Sequence, residues 1–428
     1  MANRIIIIGA GAAGLAAGQW LRNSGLNPLI IEARNRIGGR IWTDHTRGPV
    51  ELGAEFIHGS KAITWEFIDR AGLATEPWPR LVGSGPRRRF AQGQSFPFDE
   101  HFLRDGQFLT DDKCYQIMDL CERIEHYSGP ERSVAEVVDL WDDIDSALVP
   151  FALDRLACLE AADVTHLSAS ALAQERALYS AGWDNFHIKT GYDALPKHLA
   201  NGLEIQLNTA VTEIDWHSTS VHLSLQNGHT LTADQVIVTV PLSLLQANIP
   251  HFEPPLPSHK QQAIRALAMG HVTKLVMWFT ETVWPSFQFL GTDGAVITWW
   301  PTGSLDQPAL MGYVGGPKAL DLAALGSEGA IEKGLCEVVQ FFGNKARESF
   351  IGGKLVAWST DPWSRGAYTY TPVGAGQART ELAKSIGNVL FFAGEATLTN
   401  GHQATVHGAI ESGQRAAGEV LEKRTFRQ

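Results

Sequence analysis

The first fourteen residues constrain the chain more than anything that follows. Ile5-Ile6-Ile7-Ile8 is a continuously apolar, β-branched run, and Gly9-Ala10-Gly11-Ala12-Ala13-Gly14 comes directly after it. A run that is apolar at every position suits a strand covered on both faces of a parallel sheet. The glycines then dictate the turn. Gly9 allows a sharp bend, Gly11 lets backbone approach a pyrophosphate, and Gly14 lets a helix pack on the strand. The helix expected over 12–24, with Leu15, Trp20 and Leu21 as apolar anchors, points its N-terminal N–H groups at phosphate charge. A second strand at Pro28–Glu32 completes a β-α-β unit, and Glu32 stands where a carboxylate accepts ribose hydroxyls. A glycine turn that holds no nucleotide is the plain alternative. The surrounding strand, helix and acidic residue argue against it.

The loop after Glu32 reads Ala33-Arg34-Asn35-Arg36-Ile37-Gly38-Gly39-Arg40. Its glycines allow a second close backbone approach, and its arginines offer charge-assisted hydrogen bonds to phosphate. Elsewhere such a cluster reads equally well as a solvated loop; its place behind the nucleotide fingerprint favours the first reading.

A chain of 428 residues exceeds one simple core, so two domains are expected. The net charge of −11 argues against a non-specific nucleic-acid binder and suits a cationic ligand, although acidity also serves plain solubility. Cys114, Cys121, Cys158 and Cys336 form no C-x-x-C pair and no metal-ligand spacing with histidine, so no metal is expected and the thiols read as free. Glycines follow the N-terminal apolar run at once and no cleavage-type segment appears, so no signal segment is expected, and no stretch reaches membrane-span length. A cytoplasmic location is expected, and the oligomeric state stays open.

Residues 60–195 are rich in helix formers, with amphipathic stretches at 111–127 and 131–147. The segment Arg80–Gly93, with Arg87-Arg88-Arg89, reads as a surface loop. From 203 strands dominate. Val221–Leu225 and Leu231 flank the hairpin signal Asn227-Gly228. Gln235–Val240 ends at Pro241, and strands are expected at 272–279 and 295–300. The chain closes with a strand at Asn388–Phe392, a glycine turn and a helix at 403–422. This order implies an α/β protein whose Rossmann-like (GxGxxG) domain is discontinuous (1–75, 196–260 and 361–428), with an inserted α+β substrate domain (76–195 and 261–360).

The motif E-A-R-x-R-x-G-G-R after G-x-G-x-x-G resembles the flavin-containing amine oxidase family, which includes monoamine oxidases, polyamine oxidases and flavin-type histone lysine demethylases. The likeness returns at Glu51-Leu52-Gly53-Ala54-Glu55-Phe56-Ile57-His58-Gly59, at Val211–Ile214, Val236–Leu245 and Lys274, and from Trp358 to the end. It implies FAD as cofactor, held by Gly9, Gly11, Ala13, Gly14, Glu32, Arg34, Gly39, Arg40, Ala54, Glu55, Phe56, Val211, Trp358, Gly394, Glu395, Thr405 and Val406. Phe391-Phe392-Ala393-Gly394-Glu395-Ala396-Thr397 is similar to the family's second flavin turn. The helix after it starts near the flavin's pyrimidine side, where its N-terminus favours negative charge.

Three residues are implied to act on the substrate side: Lys274, His58 and Tyr368. A lysine inside Val272–Phe279 either snorkels or serves a site; the matching family lysine contacts flavin N5 through a water. Tyr368 matches one wall of the family's aromatic cage, and an aromatic face suits an amine. Trp358 and Trp363 read equally as core. His58 occupies a position that is polar or ionisable in polyamine oxidases, although a lone histidine is more often structural. Ala367 stands where some relatives carry a flavin-tethering cysteine, so FAD is expected to be non-covalent. Thr405 replaces the second cage tyrosine of monoamine oxidases, which points to the polyamine-like branch, as does Ala404–Ser412.

The resulting expectation is oxidation of an amine, a polyamine first, by hydride transfer to flavin N5. Imine hydrolysis follows, with O2 as acceptor giving hydrogen peroxide. An L-amino-acid oxidase on the same fold and a flavin-bearing scaffold protein are the alternatives.

Overall fold

The computed structural model describes residues 4–78, 88–89, 95–96, 100–217, 220–304 and 306–425. A five-stranded parallel sheet has the order Glu204–Gln206, Leu29–Ile31, Ile5–Ile8, Gln235–Val238, Leu390–Phe392. Its central strand shows why a continuous apolar run was needed. Ile5 and Ile7 face one core with Ile30, Ile237 and Phe391, beneath the helices Ala12–Asn23 and Val406–Thr425. Ile6 and Ile8 face a second core with Leu29, Val236 and Leu390. There the cover includes the four-stranded sheet Thr230–Ala233, Val221–Leu225, Val211–Asp215, His251–Glu253. The two helices meet closely because Gly413 has no side chain: a Cβ there would lie 2.1 Å from the Ala13 carbonyl oxygen.

A seven-stranded sheet runs Gln107–Phe108, Glu100–Arg104, Phe289–Thr292, Thr298–Gly303, Pro308–Gly315, Val272–Phe279, Phe350–Ala357. Val272–Phe279 is buried throughout and pairs antiparallel on both sides. Helices Asp111–Glu125, Val149–Glu160 and Ala169–Leu178 pack together beside this sheet. A three-stranded sheet of Ile57–His58, Asn185–Ile188 and Thr75–Trp78 ties the 51–59 motif to the helical region.

The sequence expectations need three corrections. Trp20 is not an anchor: the residue is 43% exposed, while Leu15 and Leu21 are buried. The stretch 131–147 is not one helix. A helix spans only Val134–Val138, started by a capping box in which Ser133 and Glu136 bond each other's backbone N–H. After Asp139 the acidic residues favour turns, as where Asp145 accepts from the Ala147 N–H at 2.9 Å. The late strand begins at Thr298 rather than 295 and runs on to Gly303. Most of Arg80–Gly93 lies outside the described residues; Arg88–Arg89 pairs with Ser95–Phe96. Among the described residues no helix is long and apolar enough to cross a membrane, and no cluster of His, Cys, Asp and Glu suits a metal.

Candidate active site

A cavity of about 1790 Å³ runs from the glycine turn past Lys274 to the helices Asp111–Glu125 and Ala169–Leu178. It exceeds the ~300–1,000 Å³ of an ordinary small-molecule pocket, so it has room for more than one ligand. All the sequence-expected site residues line it except Gly14. Gly14 acts from behind the wall: a Cβ there would stand 1.9 Å from the Gly9 carbonyl oxygen.

The nucleotide end is made largely of backbone. Gly11 pairs with Gly38 as an isolated bridge, and the Cβ position of Gly39 lies 3.3 Å from the Gly11 Cα. Glu32 is buried; one carboxylate oxygen accepts from the Ala10 N–H and the other from the Arg34 N–H, both at 2.8 Å. Each oxygen keeps a lone pair for a ribose hydroxyl. The arginines are committed elsewhere. Arg34 forms a bidentate pair with Asp361 at 2.7 Å and also donates to Ser364. Arg40 binds Glu395 at 2.9 Å. Glu395 also accepts from Thr369. Burial works against its charged form, but Arg40 and Arg379 outweigh that and hold the carboxyl below its ordinary range. Thus both arginines fasten the N-terminal loop to the C-terminal segment.

At the far side of this end, Thr405 bonds the His402 carbonyl at 2.6 Å and accepts from the Gly408 N–H at 2.9 Å. It caps Val406–Thr425, so that helix N-terminus opens on the cavity. Gln403 leaves a buried Oε1 without a partner beside it. Two glycine cradles, a buried carboxylate and an open helix N-terminus are what a dinucleotide needs, and the residues present fit FAD. Ala367 lines the wall.

In the middle of the cavity Lys274 is buried. Its Nζ donates to Glu55 at 2.8 Å and to the Glu51 carbonyl at 3.0 Å. The second Glu55 oxygen accepts from the Trp300 indole at 2.9 Å. Burial opposes the charge on Glu55, yet Lys274 and His187 pull its carboxyl down to about 2. Burial instead drives Glu51 up to about 8, against hydrogen bonds from Tyr192 and Thr43. The Tyr368 hydroxyl bonds Tyr313 at 2.8 Å and donates to the Leu159 carbonyl at 2.9 Å. Trp358 spends its indole N–H on the Leu52 carbonyl. His58 faces the cavity with Nδ1 2.7 Å from the Asn185 Oδ1. Desolvation by the groups around it lowers its pKa, only partly offset by Asn185, although the side chain stays open to solvent. Since Asn Oδ1 can only accept, Nδ1 carries the proton and neutral His58 offers Nε2 as an acceptor.

Sequence reasoning missed the remote end. Glu100, Glu122, Glu125, Glu160, Arg155 and Arg176 line it. Arg155 pairs with Glu100 at 2.8 Å; Arg176 pairs with Glu125 at 3.1 Å and Glu160 at 2.6 Å. Nothing in the local pattern marks these residues, which come from a helical region that carries little of the family likeness. Tyr313 and Trp300 were also missed. Tyr313 sits opposite Lys274 across a strand pair, a register that appears only after folding.

Comparison with known proteins fits this geometry. Residues 12–421 match the family described as flavin containing amine oxidoreductase. Polyamine oxidase 3 of Oryza sativa subsp. japonica is 31% identical, over 98% of this chain and 90% of that protein. Lysine-specific histone demethylase 2 of Homo sapiens is 27% identical over 97% of this chain and 53% of its own length. Among solved structures, a putrescine oxidase bound to putrescine superposes with TM-score 0.79 at 21% identity, covering 98% of this chain and 99% of that one. Cyclohexylamine oxidase from Brevibacterium oxydans IH-35A gives TM-score 0.81 at 21% identity over the whole of both chains.

Proposed function

The chain belongs to the flavin-containing amine oxidoreductase family, with FAD as its cofactor, and from that premise we propose that it oxidises a polyamine. One observation carries the substrate class. Every Lys and Arg among the described residues of the cavity wall is paired with a carboxylate: Arg34 with Asp361, Arg40 with Glu395, Arg155 with Glu100, Arg176 with Glu125 and Glu160, Lys274 with Glu55. An amino-acid substrate would need an unpaired cation for its carboxylate, and the described part of this wall offers none. Glu122 and Asp184, by contrast, line the cavity with no ion pair of their own among the described residues. A long molecule bearing several ammonium groups suits such a surface.

Bound FAD supplies the acceptor for the hydride from the carbon beside the amine nitrogen. The chain does the rest. Glu122 and the remote carboxylates attract the distal ammonium. The Tyr368 and Tyr313 rings, fixed by their linked hydroxyls, orient the alkyl chain. Neutral His58 accepts a hydrogen bond at Nε2 from a distal ammonium of the substrate, which a protonated ring would repel. The imine product would be hydrolysed to a carbonyl and a shorter amine, and O2 would serve as the final electron acceptor, giving hydrogen peroxide. The same reading divides the chain at the expected boundaries into a discontinuous FAD domain and a substrate domain, holds FAD non-covalently because Ala367 offers no thiol, and places the enzyme in the cytoplasm, where its free thiols stay reduced.

Anaerobic mixing with diamines, polyamines, aryl amines and amino acids, while following flavin bleaching, tests the proposal. Spermidine or spermine should bleach the flavin fastest, with kcat/KM rising with pH as the reacting nitrogen deprotonates. Faster bleaching by benzylamine or an L-amino acid than by every polyamine would overturn the substrate assignment and leave the fold intact.

A further inference from the structure

A buried ion pair is a poor source of stability, because desolvation offsets most of the attraction. The pair of Lys274 and Glu55 is nevertheless embedded in the cavity wall, and its geometry is fully specified. Glu55 gives one oxygen to the Lys274 ammonium and the other to the Trp300 indole. Lys274 donates to Glu55 and to the Glu51 carbonyl. An ammonium has three N–H donors. Among the described residues two are held by protein, which leaves the third for a group in the cavity that Lys274 lines.

We infer that Glu55 is a positioning residue for the redox reaction: through Lys274 it keeps one ammonium charged and aimed at the reactive edge of the cofactor. This rests on the FAD-site reading above and on the family likeness, which implies that Lys274 stands on the N5 side. Removing the carboxylate leaves a cation in an apolar strand, buried at 3% exposure, with the Glu51 carbonyl as its remaining hydrogen-bond acceptor among the described residues and the Trp300 ring 5.7 Å away. Such a lysine gives up its proton readily. While it remains protonated it presents a full, unbalanced positive charge. The negative charge that accumulates on a reduced cofactor responds to both states.

The ionisable groups facing the pair come from three other elements. Glu51 belongs to Val50–Glu51. His187 belongs to Asn185–Ile188, its Nε2 3.6 Å from Glu55, and Tyr313 to Pro308–Gly315. Tyr192 also lies against Glu51. Burial raises both tyrosines above their ordinary values, so they stay neutral. Glu51, raised to about 8, titrates in the range of interest and needs its own control.

The test uses FAD-loaded protein and no amine, so it is independent of substrate class. The flavin is photoreduced anaerobically and mixed with oxygen in a stopped-flow instrument between about pH 6 and 9, and the midpoint potential is measured across the same range. Glu55→Gln should acquire an inflection, its reoxidation rate falling about tenfold toward alkaline pH as Lys274 gives up its proton. Its midpoint potential should be more positive than that of wild type at the acid end. The inflection should vanish in Glu55→Gln/Lys274→Met, persist in Glu51→Gln/Glu55→Gln, and be reversed by Glu55→Asp. If Glu55→Gln fails to hold flavin, Trp300→Phe, which removes only one bond to the carboxylate, should show the same inflection weakly; an unchanged profile there overturns the inference. So does a Glu55→Gln profile that is wild-type in shape, or uniformly slow with an unmoved potential. Wild-type reduced flavin that ignores oxygen would overturn the oxidase reading alone, since the potential still reports on Glu55.

Discussion

At the end of the cavity lined by Gly9, Gly11 and Gly39 the wall is backbone, whereas at the end lined by Glu125, Glu160 and Arg176 it is charged side chains. The first is shaped by what is missing: a Cβ at Gly9, Gly14 or Gly38 would come within 3 Å of other atoms. The second is shaped by pairing: Arg155 binds Glu100, and Arg176 is shared by Glu125 and Glu160, all carboxylates from other helices or strands. The two ends should therefore fail in different ways. A backbone cradle fails sterically at any pH. A charged wall fails electrostatically, and its failure depends on protonation.

Gly14→Val should have the largest effect, because its Cβ would meet the Gly9 carbonyl, which cannot move aside. A loss of about 3 kcal/mol or more is expected, together with loss of bound flavin, read by thermal melting and by the flavin-to-protein absorbance ratio. Full flavin content would show that the cradle is not steric in origin.

Arg176→Met should come next and differ in kind. It strands Glu125 and Glu160, with Arg176 itself a quarter exposed. A loss of about 2–3 kcal/mol is expected, below the ~3–5 kcal/mol of a fully buried pair, with flavin retained. Burial already raises the Glu160 carboxyl, with Arg176 opposing the rise. Without Arg176 the Glu160 carboxyl rises further and protonates as pH falls, so melting at pH 5 should show a smaller deficit than at pH 8. Equal deficits would count against the electrostatic account.

Glu51→Gln probes the boundary between the two ends. The folded pKa of Glu51, about 8, lies above the ordinary 4.5. The folded state therefore holds a proton that the unfolded chain has released, and this group favours folding progressively less as pH rises from about 4.5 to 8. Relative to wild type, the variant should gain stability over that window. A difference that stays constant with pH would show that Glu51 does not titrate there. The smallest effect is expected for Glu122→Gln, which removes a cavity carboxylate that has no ion pair among the described residues: a rise of a few-fold in polyamine KM, equivalent to about 0.5–1 kcal/mol, with kcat and melting unchanged. Equal changes for a monoamine would remove Glu122 from distal recognition.

The same contrast explains what could be read before folding. The strand Ile5–Ile8, its glycine turn, Glu32 and the strand-to-helix passage around Gly394 were legible because backbone requirements leave local marks. An every-position apolar run states that both faces are covered, and a glycine at fixed spacing states that no Cβ fits. Lys274 was legible as an anomaly in an apolar strand, but Glu55 as its partner was not. Their separation of 219 positions closes only when the 51–59 segment lies across the sheet. Tyr313, Trp300, Arg155 and Arg176 were likewise invisible. A charged or aromatic residue on a helix or strand looks the same whether it meets solvent, core or cavity, and only strand register and helix packing decide which. Trp20 shows the converse, a large apolar residue that folding leaves at the surface. The nucleotide cradle and the family could thus be read from the chain alone, because both rest on steric rules acting within a few residues. Which charges are neutralised and which are left for a ligand emerged only on folding, because pairing is a property of distance in space.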